Sequence, residues 1–554
     1  VNFDRLANIE RLKSEQFDVL VIGGGITGVG VALDAASRGL RTALVEKDDF
    51  SSGTSSKSSK LIHGGLRYLQ QGEIGLVYEA LHERQRLRKN APHLVQLLPF
   101  MIPILTKDSV VSKKIARALG SALWMYDLTG GWRIGKFHRR LKAKAAHSHL
   151  PTMPFEKLAS AYLYYDASAD DSRLCVAVAR TAVQHGAAIA NQCAVTKIVH
   201  DDAGVARGAI VQPTDGEPFT IRSTTVVNAA GVWADNVRQA DEGNNPHSIR
   251  PAKGIHITVP WKKVQNDIAI VIPVRRDRRS LFVVPWISNG DGTYQYTYVG
   301  TTDTDFAGGV DESQTSAEDI HYVLEALNQS ITTNVTVDDV TAVWSGLRPL
   351  VRNEDGSTAK GKTADLSRKH KVTVSPSGVI SIMGGKLTTY RKMSEHTVDE
   401  VVKHTGKAKK CKTKNLQFIG AKGFKSSMLN GPDAYLAERF GSELNRVKDL
   451  IAHDASLGEP LIAGLPYLRA EAVFACRNEM ALTLDDVLSR RTRARIINRR
   501  ATLASARKVA ELMATELHWD SAEIDRQVAI FVDSCSREEA AGMVSEAEFL
   551  ASVQ

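Results

Sequence analysis

The sequence predicts an α/β domain built on parallel strands, an antiparallel β-rich cap inserted into it, and an all-α region at the C-terminal end. Three observations carry this. A short apolar run meets a glycine cluster near residue 23 and turns into a helix. Alternating apolar and polar runs recur through residues 245–344. Helical periodicity dominates beyond residue 416. At 554 residues the chain is too long for one core and predicts two to four domains.

The composition is that of a globular protein, with 43% hydrophobic and 24% charged residues, which argues against disorder. Lys and Arg number 71 against 62 Asp and Glu, a net charge of +9. Such an excess suits an anionic substrate, an anionic membrane surface or nucleic acid, without choosing among them. The five cysteines, Cys175, Cys193, Cys411, Cys476 and Cys535, form no C-x-x-C pair. They read as reduced thiols, with no disulfide framework and no metal site. The first residues, "VNFDRLANIERLKSEQ", show neither an apolar secretory core nor an arginine-rich, acid-poor transit segment. No run of about 18 apolar residues occurs, so no spanning helix is expected. The expectation is a cytoplasmic protein, with attachment to a membrane surface left open.

The first element is a βαβ unit in "FDVLVIGGGITGVGVALDAASRGLRTALVEKDD", residues 17–49. Val19 to Ile22 reads as a buried parallel strand. Gly23-x-Gly25-x-x-Gly28 follows, then a helix to Arg38 stopped by Gly39, then a second strand ending in Glu46. Gly23 permits the tight turn, Gly25 lets backbone approach a pyrophosphate, and Gly28 lets helix and strand pack closely. The pyrophosphate belongs on the helix N-terminus, where unpaired N–H groups and the dipole favour an anion. Glu46 is placed to bind a ribose hydroxyl and would repel a 2′-phosphate. A purely structural glycine turn would not need strand, helix, second strand and terminal acid in register.

This unit alone does not separate NAD from FAD. The next segment, "SSGTSSKSSKLIHGG", is rich in hydroxyls and glycines and suits backbone lying along an extended cofactor. Thr54, Ser55, Ser59, Lys60, Gly64 and Gly65 are its candidate contacts. "VVNAAGVWAD" runs a strand into a small-residue turn at Ala230 and Gly231. "VISIMGGKLTTYRKMSEHTVDEVV" is a strand, a glycine pair and a helix start, with Gly385, Lys386, Leu387 and Thr388 at the turn and Thr388 or Thr389 as cap. The cofactor domain is therefore expected to be discontinuous, over 16–105, 160–235 and 345–404. Residues 106–159 and 245–344 form the cap, and 416–554 the helical domain. "KAKKCKTKN" at 407–415 is the linker, and Thr483-x-x-Asp486 opens a helix as a capping box.

These segments resemble the FAD motifs of the glutathione-reductase-type, D-amino-acid-oxidase-like flavoproteins. More narrowly, "TSSKSSKLIHGGLRYL", "IRPAKGIHITVP", "VGTTDTDFAGG", "WSGLRPL" and "GGKLTTYRKMSEH" are together similar to the FAD-dependent, quinone-linked glycerol-3-phosphate dehydrogenases. The likeness runs in order from about residue 17 to about 404 and continues more weakly beyond. It implies noncovalent FAD, sn-glycerol 3-phosphate as substrate, hydride transfer from C2 to FAD N5, a membrane quinone as acceptor and a place on the inner face of the cell membrane. No D-x-[DN]-x-[DN]-G loop is present, so the bacterial form fits better than the mitochondrial one. A homodimer is left open.

Such a reaction needs a base for the hydroxyl proton, a carbon held against the flavin, and a grip on the rest of the substrate. His63 lies between the cofactor loop and Gly64-Gly65, and histidine is the side chain best poised near neutral pH. His256, on the polar face of an alternating strand, is the rival base; a structural histidine there is equally compatible. The phosphate calls for arginine, whose planar fork binds two oxygens. Arg67, Arg348 and Arg250 are candidates, and Arg348 is held extended by Pro349. The resemblance implies Arg67, Tyr68, Arg348 and Lys386 as substrate contacts. Lys386 could also neutralise charge on the reduced flavin. Arg250 and Lys253 read equally well as salt-bridge residues of the cap strand, and Asp303 as a turn organiser.

Basic clusters at 113–128, 136–147, 275–280 and 490–500 read by default as solvated faces, the first packing as a cap helix or lying in a membrane interface. Three functional readings follow. They are the quinone-linked dehydrogenase, an oxidase passing the same electrons to oxygen, and a flavoprotein binding RNA through its basic C-terminal helices. The last leaves Arg67, Arg348 and Lys386 without a role, so no nucleic-acid partner is expected.

Overall fold

The computed structural model describes residues 3–65, 73–106, 120–121, 123–127, 135–277, 279–311, 313–352, 369–406 and 409–553. Arg67 and Tyr68 lie outside these, as does most of the 113–128 segment.

Two sheets organise the chain. In the first, the strands lie in the order His370–Val374, Ile380–Gly384, Phe219–Asn228, Gln16–Ile22, Thr42–Val45, Ala188–Ala190. From Ile380–Gly384 to Ala188–Ala190 neighbours run parallel. His370–Val374 closes one edge antiparallel, and Ala206–Pro213 with Cys193–His200 branches antiparallel from Phe219–Asn228. The first strand is buried from Phe17 to Ile22 and the second throughout, the pattern of strands covered on both faces. The helix Ile26–Ser37 follows the glycine turn. Every residue in it but Thr27 is buried, because it is wedged between this sheet and the helices Asp171–Gln184 and Tyr390–Thr405.

The second sheet carries the cap. Its described strands run in the order Thr304–Asp305, Ile249–Pro260, Tyr294–Gly300, Ser280–Ser288, Ala269–Pro273, Val95–Leu105, Leu158–Ala169, Leu61–Ile62. Ala342–Val351 pairs with Ile249–Pro260 along its whole length, from Ile249↔Val351 to Thr258↔Ala342. This corrects the sequence boundaries. Residues 95–105, 158–169 and 342–351 are ladder strands of the cap sheet, not of the parallel sheet. Strand periodicity shows that a segment is extended but carries no information on which sheet completes its hydrogen bonds.

The C-terminal region is helical, with Arg469–Asn478, Arg499–Leu517 and Ser521–Ala541 around a core that includes Leu484, Val487, Val509 and Phe531. The capping box forms: Asp486 donates its N–H to Thr483 Oγ1 (3.2 Å) and its carboxylate accepts from the Thr483 N–H (3.0 Å). It opens a wide π-helical turn, Asp486–Arg491, rather than an α-helix. The arginines that follow are not a solvated face. Arg491 is 1% exposed and bidentate on the fully buried Asp49, and Arg490 joins the same carboxylate at 2.6 Å. Asp49 lies more than four hundred residues away in sequence, so a reading of the local run could not find it.

Candidate active site

The glycine turn, the Glu46 strand end, the 52–55 loop, the Ala230–Gly231 turn and the Gly384–Lys386 turn together line a cavity of about 350 Å³. Its floor is sterically defined. Gly23 sits at φ +111°, and a Cβ there would meet the Ala229 carbonyl oxygen at 2.7 Å. A Cβ on Gly28 would lie 1.9 Å from the Gly23 oxygen, so helix and turn pack backbone to backbone. Gly25 is different: a Cβ there would meet only Ser55 Oγ, at 3.1 Å, so its missing side chain leaves room toward the cavity. Ser55 Oγ accepts the Ile26 N–H at 2.9 Å, at the helix N-terminus where an anion is favoured. Glu46 accepts from the Gly24 N–H (2.5 Å) and the Asp48 N–H (2.9 Å), and burial pushes its carboxyl up to about 7.

A second cavity, of about 210 Å³, is also lined by Thr54, Ser55, Gly385, Lys386 and Leu387 and so adjoins the first. Ser59, His63, His256, Thr301, Arg348 and Thr388 complete its chemistry. The main chain of His63 is clamped by Thr388, whose Oγ1 accepts the His63 N–H (3.1 Å) and donates to its carbonyl (3.3 Å). His256 is 2% exposed, stacks on Trp344 (4.6 Å, 8° between planes) and shares a 2.8 Å hydrogen bond from Nε2 with Ser59 Oγ. Burial, with Lys60 and Arg348 adding to it, holds its pKa well below the usual histidine range. It is therefore neutral at pH 7. Arg348 stands across from Ala252 on the paired strands. Its Nη1 donates to Asp303 Oδ1 (3.2 Å) and the Lys253 carbonyl (3.3 Å), and its Nη2 to Thr301 Oγ1 (3.1 Å) and the Thr302 carbonyl (2.9 Å).

An elongated, two-chamber site with an anion-favouring helix end at one side and a histidine–arginine pocket at the other fits a dinucleotide whose reactive ring reaches a small anionic substrate. Comparison with known proteins agrees. Residues 18–391 match the family described as FAD dependent oxidoreductase, and residues 411–524 the C-terminal domain of alpha-glycerophosphate oxidase. Glycerol-3-phosphate dehydrogenase 2 of Mycobacterium tuberculosis is 37% identical over 537 residues, covering 94% of this chain and 88% of that one. The mitochondrial glycerol-3-phosphate dehydrogenase of Bos taurus is 36% identical over 555 residues, covering 95% and 74%. The X-ray structure of the glycerol-3-phosphate dehydrogenase from Bacillus halodurans complexed with FAD matches with a TM-score of 0.73 at 29% identity, over 96% of each chain. The chain belongs to the family of FAD-dependent glycerol-3-phosphate dehydrogenases.

FAD is thus the cofactor, and Gly23, Gly25, Glu46, Thr54, Ser55, Ala230, Gly231, Gly385, Lys386 and Leu387 line the first chamber. Among the described residues no helix is long and apolar enough to cross a membrane.

Several expected contacts of this family member point elsewhere. Gly254 and His256 face the cavity, and strand alternation therefore turns Lys253 to the opposite side. There Lys253 is 1% exposed and pairs with Asp319 (2.7 Å) and Glu546. Arg250 lies further along the strand and pairs with Asp305 at 3.0 Å. Both form the ion pairs of the salt-bridge reading. Lys60 lines neither cavity. Its backbone is left-handed (φ 59°), and its amine lies 4.4 Å from the Trp344 ring and 3.7 Å from Asp171, where burial brings its pKa down to about 8. Gly64 faces a buried cluster, donating its N–H to Tyr126 Oη at 3.0 Å.

Sequence reasoning missed Thr301 as a cavity residue and Trp344 and Tyr298 as supports. It placed Asp303 in a turn, whereas its carboxylate accepts from Arg348. The sequence holds no signal for that pairing beyond the nearness of each motif to a glycine.

Proposed function

We propose that the protein oxidises sn-glycerol 3-phosphate to dihydroxyacetone phosphate and passes the electrons to a membrane quinone at the cytoplasmic membrane surface. The observation that carries the substrate half is the grouping of His63, His256, Arg348 and Lys386 around one cavity that adjoins the cofactor chamber.

Bound FAD supplies the acceptor for the hydride that leaves C2. Arg348, already oriented by Asp303 and Thr301, sets its guanidinium charge against the phosphate dianion. His63 takes the proton of the C2 hydroxyl, so that the carbonyl forms as hydride departs. His256, neutral and locked between Trp344 and Ser59, offers a fixed ring at the cavity wall. A base works best with a pKa near the operating pH, and a ring held far below it is the weaker candidate. Lys386 places a cation where the two chambers meet.

The oxidase reading is kept because the C-terminal domain matches one described for alpha-glycerophosphate oxidase. The RNA-binding reading loses its motive, since Arg491 and Arg493 are buried and, like the half-buried Arg490, held in ion pairs.

The test is anaerobic. Purified protein should be yellow, release FAD on acid precipitation, and bleach on addition of sn-glycerol 3-phosphate. Reoxidation by a short-chain quinone should then be far faster than by oxygen, and activity should pellet with membranes at low salt. Stoichiometric hydrogen peroxide in air would select the oxidase; flavin that does not bleach would remove both readings.

A further inference from the structure

We propose that Arg493 of the C-terminal domain is a positioning residue for the catalytic cavity, acting through the 56–60 loop on the hydrogen bond between Ser59 and His256. This rests on the reading of that cavity as the site of oxidation.

Arg493 follows the π-helical turn Asp486–Arg491 and stands at φ 72°, a left-handed conformation rarely adopted by a residue with a Cβ. That backbone turns the side chain inward, where it is 2% exposed. Its Nη2 donates to the Ser56 carbonyl and to Asp171 Oδ1 (3.1 Å), and its Nη1 to the Ser489 carbonyl (3.0 Å). Asp171 is fully buried. Its Oδ2 accepts from the Ser58 N–H (3.1 Å) and the Ser58 hydroxyl (2.7 Å). One guanidinium and one carboxylate thus fix Ser56 and Ser58, and Lys60 lies 3.7 Å from the same carboxylate.

Ser59 sits inside this grip. Its carbonyl accepts from Tyr298 Oη (3.0 Å), leaving its hydroxyl directed to His256 Nε2. Trp344, on which His256 stacks, donates its Nε1–H to the Ser58 carbonyl at 3.3 Å. The loop, the tryptophan and the histidine are therefore one hydrogen-bonded unit, and Arg493 ties it to the C-terminal domain. A lysine lacks the second nitrogen that bonds the Ser489 carbonyl, so its ammonium is no longer held in the guanidinium plane against Ser56 and Asp171. The loop is then free to shift, and a displacement of order 1 Å at a reacting site costs roughly 100-fold in rate.

The experiment is stopped-flow reduction of the bound FAD by sn-glycerol 3-phosphate in Arg493→Lys, Ser59→Ala and the double variant, with FAD content and Tm measured alongside. Arg493→Lys keeps a cation beside Asp171 and should retain FAD while slowing reduction by roughly 10- to 100-fold. Ser59→Ala should slow it comparably. The double variant should be within about 3-fold of the slower single, because both break the same link. If the two losses multiply, or if Arg493→Lys lowers Tm and leaves reduction unchanged, the proposal fails. Should Arg493→Lys not fold, Ser58→Ala probes the same chain from the cofactor domain, and independence from Ser59→Ala there overturns it equally. A separate outcome, no loss of flavin reduction in either His63→Asn or His256→Asn, would instead reject the underlying site reading.

Discussion

Arg348 gives the sharpest test of how the substrate is held. Its guanidinium is 19% exposed and already has Asp303, 8% exposed, as a countercharge at 3.2 Å. Arg348→Ala would strand that carboxylate and confuse binding with packing. Arg348→Lys keeps a cation there and removes only the fork. A charge-assisted hydrogen bond contributes about 1.5–3 kcal/mol. At about 1.36 kcal/mol per tenfold, losing one predicts roughly a 10- to 150-fold fall in kcat/KM for sn-glycerol 3-phosphate. The fall should appear chiefly in KM, with FAD content unchanged. The control is glycerol, which keeps the reacting carbon and lacks the dianion; there the ratio of wild type to variant should be close to one. An equal loss on both substrates would refute phosphate recognition, and loss of FAD would show that Arg348 braces the Lys253 and Thr302 backbone instead.

Other consequences are as direct. His63→Asn should slow single-turnover flavin reduction by roughly 10²- to 10⁴-fold with FAD retained, while the same change at His256 should cost less; the reverse order would transfer the base role. Gly28→Ala should prevent FAD binding, read as absent 450 nm absorbance, because its Cβ would lie 1.9 Å from the Gly23 oxygen. A normal flavin spectrum in that variant would contradict the packing. Stability should fall on acidification. Burial, then Arg173, lowers His93 to about 3, and burial, then His396 and Lys392, lowers His370 to about 4, both from 6.5. Burial also lowers His256. The unfolded chain takes up these protons near pH 6.5 and the folded chain does not, so their stabilising contribution is full above that pH and lost progressively below it. Tm should therefore decline between pH 6.5 and 5, above the carboxylate range; a flat profile there would count against it.

What the sequence by itself determined is the chemistry of the cofactor side. The spacing Gly23-x-Gly25-x-x-Gly28, the strand before it and Glu46 after it are local features, each set by backbone sterics within a few residues. The structure finds them where that reasoning put them. The hydroxyl-rich loop, the Lys386 turn, His63, His256 and Arg348 were legible as candidates for the same reason: each stands in a motif whose residue types have no ordinary core use. What only the tertiary structure decided is direction and partnership. Lys253 and His256 sit three apart on one strand, and the pleat sends one to Asp319 and Glu546 and the other to the cavity. The arginines near residue 490 read as a surface run until Asp49 and Asp171 are brought to them across the whole chain. A local pattern reports propensity and periodicity, which act over a few residues. A buried charge is paid for by its partner, and that partner is chosen by the fold.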